Sequence, residues 1–284
     1  MLLKLLQDSR TIYTVILAVI IAPFMVTLKL PIPIPPPVRK VYDAVELAHQ
    51  KKQPIIISFD FDPSVAGECK PMAVAMVRHA FATKTPVIGL TFLINGANLA
   101  QSILDQAAKE FNERPGGKDS IVYGRDYVWL GWKPQYVQII IAMGHDIKGT
   151  FKTDAEGKSL DEMPIFKGVK NFDDIGLTTT IAGSAIPEDW IAYTMQYKAR
   201  LAVGTTAVSA TQYFPYMQAD QIKGVIPGAT GAAAYERLLV DNEYWPTFGD
   251  AGAMANTQSA SHIVIILFII TGNIIYFIRK SQRQ

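Results

Sequence analysis

Residues Pro54–Ser64 read PIIISFDFDPS, and this stretch decides the fold. Ile55 to Phe59 are apolar or small without the alternation of a half-exposed strand. That predicts a parallel strand over Ile55–Asp60, buried on both faces. Two carboxylates, Asp60 and Asp62, close the run, and Pro63 breaks it. The C-terminal end of such a strand is where an α/β domain carries its polar business.

Outward from this strand the pattern alternates. Further strands are predicted at Val87–Leu93, Tyr127–Gly131, Leu177–Ala182 and Leu201–Val208. Between them the apolar spacing predicts helices at Pro71–Ala82, Leu99–Phe111, Tyr136–Ile147 and Pro187–Lys198, with Pro71 in a first turn. Thr211–Ala219 and Gly231–Leu239 finish as helices, and Val38–Lys51 leads in as an amphipathic one. Arg114–Asp119 reads as an exposed loop, and Phe151–Asp174 as a polar surface excursion. Strands buried on both faces and separated by helices imply an α/β, Rossmann-like three-layer sandwich with a mostly parallel sheet. The sequence offers no internal boundary, so residues 38–250 are expected as one domain.

Apolar residues make up 49% and charged residues only 18%, and the apolar surplus collects at the two ends. Thr11–Leu28 holds no charge, and His262–Ile278 carries only a histidine at its outer end. A span needs about 20 apolar residues, with roughly 17 as the lower bound. Transmembrane helices are therefore expected at 11–29 and 262–278, one flanking each end of the domain. A cleaved leader is the rival for the first, but its apolar core is longer than the ~7–15 residues of such signals. Residues 30–37 (LPIPIPPP) predict a stiff polyproline rod, and 251–261 a linker to the second span.

Arg279, Lys280 and Arg283 follow the second span, whereas Thr247–Ser261 before it has no Lys or Arg. By the positive-inside rule residues 1–10 and the basic tail 279–284 are cytoplasmic, and the domain is extracytoplasmic. In a Gram-negative bacterium that means inner membrane and periplasm. Lys4, Arg10, Lys29, Arg279, Lys280 and Arg283 lie outside the domain region. Setting these and Asp8 aside leaves 21 basic against 24 acidic residues, which argues against a nucleic-acid surface. Cys69 is the single cysteine, so no internal disulfide forms.

The polar residues expected at the strand ends are Asp60, Asp62, Ser64, Thr91, Asn95, Gly183, Ser184, Thr205 and Thr206, a candidate ligand crevice. His49, His79, His145 and His262 are scattered without metal-ligand spacing, so no metal is assigned. No cofactor is assigned either. Tyr244-Trp245-Pro246 suits an interfacial aromatic belt, and Asn273 inside the second span asks for a helix partner.

Asp60-Phe61-Asp62-Pro63-Ser64-Val65 resembles the first motif of haloacid-dehalogenase-like phosphatases. The resemblance implies Asp60 as nucleophile, Asp62 as general acid, Thr91 as a phosphoryl contact and Mg²⁺ as cofactor. That family also needs a late acidic cluster at a strand end, and Ala182-Gly183-Ser184 and Gly204-Thr205-Thr206 supply none. Asp62-Pro-Ser64, Gly89-Leu-Thr91, Ala142–Ile147, Ala202–Val208 and Gly228–Leu238 are similar to segments of bacterial membrane-anchored α/β proteins with no assigned function. That resemblance implies anchors beside a soluble domain and carries over no catalytic residue.

Three functions are expected, in this order. The first is a non-enzymatic, two-anchor subunit of a multi-subunit membrane complex, with the bilayer and other copies or subunits as partners. The second is a small-molecule-binding or sensing domain. The third is a Mg²⁺-dependent phosphatase.

Overall fold

The computed structural model describes residues 8–25, 31–114 and 120–281. Residues 1–7 of the expected N-terminal tail, 26–29 of the first expected span, Leu30 of the proline rod, loop residues 115–119 and tail residues 282–284 lie outside the described residues. The chain forms two compact units, Pro33–Ala251 and a second made of the two ends.

In chain order the elements of the larger unit are α2 (Pro36–Gln50), β1 (Ile55–Asp60), α3 (Ala66–Ala82), β2 (Val87–Thr91), α4 (Ala97–Asn112), β3 (Tyr127–Trp132), α5 (Tyr136–Met143), α6 (Ile147–Phe151), β4 (Leu177–Ala182), α7 (Ile186–Thr194), β5 (Leu201–Thr205), α8 (Phe214–Gln218), β6 (Val225–Pro227) and α9 (Gly228–Asp241). The end unit holds α1 (Ser9–Met25) and most of α10 (Asp250–Ser281).

All strand pairings are parallel, in the order β3-β2-β1-β4-β5-β6. This is the strand order of doubly wound, Rossmann-like sheets, with its reversal between β1 and β4. Every residue of β1 is buried, as its unbroken apolar run requires. α2, α3, α4 and α9 pack together on one face, and α5 and α7 on the other. Ile56, Leu90, Val128, Trp190 and Val203 belong to the core of the second face. Register pairs Ile56 with Thr178 and Ser58 with Thr180, so β4 turns two hydroxyls toward that core.

Several boundaries differ from expectation. Helix α3 begins at Ala66, which puts Pro71 inside it and not in its first turn. Tertiary contacts support these early residues: the Glu68 carboxylate accepts from Ala207 N–H at 2.8 Å, and Val65 lies where a Gly183 side chain would be. The expected helix Tyr136–Ile147 ends at Met143, and an extended Asp146, whose side chain accepts from Gly149 N–H, starts a separate short helix; position 144 is a glycine against which the Tyr197 ring packs. The excursion Phe151–Asp174 is irregular but not superficial. Its Leu160, Ile165, Phe166 and Phe172 enter the second-face core through three 3₁₀ turns. β6 was unforeseen: it is three residues long and ends in Pro227. Both sheet edges are covered, β3 by an Ala155 N–H bond to Trp129 O at 3.0 Å and β6 by α2.

Helix α10 is continuous over 32 residues, so 251–261 is helical and not a separate linker. At ~1.5 Å per residue it is about 48 Å long. Its stretch Asp250–Phe277 is long and apolar enough to cross a membrane. Helix α1 has 17 residues, or about 26 Å of rise. Within it the apolar Ser9–Ala22 is shorter than a span, so a second membrane helix over 11–29 is not shown.

Candidate functional site

The sheet order places the crevice of this fold beyond the C-terminal ends of β1 and β4. The predicted site residues do gather along this edge, but they divide into two groups. Asp60, Thr91 and Thr205 are fully buried. Asp62 and Thr206 are half-buried, and Ser64, Asn95 and Ser184 are exposed.

The buried three sew neighbouring strands together. Asp60 Oδ1 accepts from Phe92 N–H at 2.9 Å, just past the end of β2. Its Oδ2 accepts from Thr180 Oγ1 of β4 at 2.9 Å and from the Trp190 indole N–H of α7 at 3.3 Å. Thr91 Oγ1 donates to Phe59 O at 2.7 Å, joining β2 to β1, and accepts from Leu93 N–H at 3.0 Å. Thr205 Oγ1 donates to Ala182 O at 2.8 Å, joining β5 to β4. These side chains add to the ladder at the C-terminal ends of the strands.

Burial pushes the Asp60 carboxyl up to about 6, against the opposing pull of these donors. Ser58 Oγ has no partner at strict hydrogen-bond geometry, yet it lies close enough to favour the charged form. A nucleophile must reach its substrate, and Asp60 presents no surface. The phosphatase resemblance therefore lands on a carboxylate already engaged in holding the sheet.

Asp62 makes a local turn. Its Oδ1 accepts from Ser64 N–H at 2.9 Å and from Ser64 Oγ at 2.5 Å, and these bonds hold its carboxyl below the usual range. Asn95 lies in a 3₁₀ turn that is pressed against the loop after β1: a Cβ on Gly96 would stand 2.1 Å from Phe61 O. Thr206 Oγ1 donates to Ser209 Oγ at 3.3 Å, and Ser184 is open on the rim. The crevice itself is filled from within, by Val65 over Gly183 and by Glu68 on the loop after β5. The turn between β1 and α3 has no glycine and carries the Asp62 carboxylate, a poor seat for a phosphate. Among the described residues no cluster of His, Cys, Asp and Glu could hold a metal.

A second polar cluster escaped the sequence reading. His79 is fully buried between α2, α3 and α9. Its Nε2 lies 2.9 Å from Glu46 Oε1 and its Nδ1 2.8 Å from the Tyr235 hydroxyl, while the Tyr42 ring stacks on it at 4.4 Å. A neutral ring satisfies every partner: Nε2–H donates to the carboxylate and Nδ1 accepts from the tyrosine. Burial lowers the His79 pKa against the pull of Glu46, and the His79 bond in turn lowers that of Glu46. The signal was its position on the apolar face of Met72, Met76 and Ala80; lone histidines on such faces join helices more often than they bind metals.

Trp245 is also placed differently from expectation. It is 8% exposed and lies against two guanidinium groups, Arg114 at 3.1 Å and Arg78 at 4.5 Å from its ring centre. Arg78 is held by Glu110 at 2.7 Å, and Arg114 donates to Tyr244 O at 3.2 Å. Trp245 is thus a buried anchor for the segment after α9 and not part of a lipid belt. A cleft of about 180 Å³ is lined by Lys70, Arg78, Glu110 and Glu236. Three of these charges are engaged within the protein: Arg78 with Glu110, and Glu236 with Gly249 N–H at 3.1 Å. Compared with known proteins, the chain matches no family model, no curated sequence and no solved structure.

Proposed function

We infer that the chain is a membrane-anchored structural or assembly subunit whose α/β domain has no catalytic task. One observation carries this: the polar side chains at the strand ends bond to the protein's own backbone and neighbours, which leaves no convergent reactive set at the switch point. The apolar α10 gives the chain a membrane segment, and the basic residues after it favour a domain on the extracytoplasmic side with both termini cytoplasmic. Residues 11–29 serve as the second anchor in this reading. The test is the particle mass of the full chain in detergent by light scattering. A defined multiple of the chain mass is expected; a monomer overturns the assembly role.

A second reading is favoured by the exposure of Ser64, Asn95 and Ser184 along the rim. There the domain binds a small polar molecule at the strand ends. A thermal-shift screen across metabolite classes decides it, because a ligand that binds only the folded state raises Tm. No shift with any class removes it.

A further inference from the structure

The faces of α10 are unequal within the end unit. Val264, Phe268 and Thr271 are half-buried and Ile275 is 4% exposed, so the chain itself covers this face. At 100° per residue, His262, Ile266, Ile269, Asn273 and Tyr276 fall on the opposite side, and all five are exposed. Ile266 and Ile269 are 54% and 58% exposed. Asn273 stands in the middle of this bare stripe. Its Nδ2 donates to Ile269 O at 3.0 Å, one turn back, which uses one of the four hydrogen bonds that an amide can make. Lipid tails offer nothing to the rest, and an amide facing hydrocarbon seeks another helix.

We propose that this stripe receives the same stripe of a second copy of the chain, with Asn273 paired to Asn273 across the interface. The occupant follows from the chemistry. An amide is both donor and acceptor, so a second amide facing it can serve both of its groups at once. Two copies inserted with the same orientation carry Asn273 at the same depth, a match that no other helix is bound to provide. Ile266 and Ile269 on one side of the amide and Tyr276 on the other supply the packing. A single buried polar residue in an apolar helix pair fixes register and partner number. The interface rests on the membrane-subunit reading and gives it a contact.

The test uses the full chain in detergent and in reconstituted bilayers. Cys69 is buried, so single cysteines introduced by Ile269→Cys or Val264→Cys report their own positions under a short thiol cross-linker. Ile269→Cys is expected to give a covalent dimer and Val264→Cys to give little. Asn273→Leu is expected to weaken self-association roughly 5- to 30-fold, the range for an interhelical amide bond, and Asn273→Gln to retain most of it. Equal cross-linking at both positions, or no effect of Asn273→Leu, overturns this interface. If the particle is still oligomeric in that case, the assembly role stands and only the interface falls. A monomer removes both.

Discussion

At the scale of single residues, Asp60 is expected to matter to stability and not to turnover. Its carboxylate serves the Phe92 N–H, the Thr180 hydroxyl and the Trp190 indole at once. Asp60→Ala leaves three buried donors unserved, so the folded state should lose about 3 kcal/mol or more in urea unfolding of the full chain. An unchanged midpoint would contradict the bracing role. The neighbouring Thr178 offers the converse case, since its buried Oγ1 has no partner among the described residues. Thr178→Val keeps the shape and removes the unpaired hydroxyl, so it should stabilise by about 1 kcal/mol. Acid adds a signed prediction. The His79 pKa is lowered on folding, so the unfolded chain takes up a proton first and stability falls as pH drops below ~6.5. The Asp60 pKa is raised to about 6, so here the folded chain takes up the proton first and stability rises as pH falls from 7 toward 4. A shift of that size is worth roughly 3 kcal/mol. The two slopes oppose each other between about pH 4 and 6.5. The Tm of Asp60→Ala should therefore fall more than that of the wild type from pH 7 to pH 5. Parallel profiles would show that Asp60 does not titrate as described.

At the scale of elements, the strands were the legible part. β1 and β4 have the predicted limits, because long apolar or β-branched runs buried on both faces leave little choice. Ends were less legible wherever a tertiary contact set them. β5 stops at Thr205, three residues early, where Thr205 is drawn to Ala182 O; β6 is too short for any periodic signal. The candidate site was legible in place but not in meaning. Position in the chain put Asp60, Thr91 and Thr205 at one edge, yet nothing in the sequence states whether a strand-end side chain turns outward or back onto its neighbour. The clamp on Trp245 was invisible for the same reason, since Arg78, Arg114 and Trp245 meet only through folding. Trp245→Ala removes two cation–π contacts and a buried indole, and should cost about 3–5 kcal/mol. The segment 242–249 should then be cut faster in limited proteolysis than in the wild type; equal rates would mean that the clamp does not hold it.

At the scale of the whole molecule, the open question is how many anchors the chain has. Helix α10 meets the length and polarity needed for a span, whereas the described part of α1 is about 26 Å long against a hydrocarbon core of ~30 Å. A short helix can still span by local thinning of the bilayer. Thr11–Leu28 is uncharged throughout, as a span requires. Ending the chain after Ala251 separates the alternatives. That cut follows the border of the Pro33–Ala251 unit and removes all of α10 beyond its first two residues. With residues 11–29 as an anchor, the shortened protein should stay in the membrane pellet through an alkaline wash and lose only its self-association. With α1 as a surface helix or a leader, it should appear in the supernatant, because a domain with a negative balance of charge has no attraction to an anionic membrane surface. Retention with loss of self-association would assign anchoring to residues 11–29 and pairing to α10.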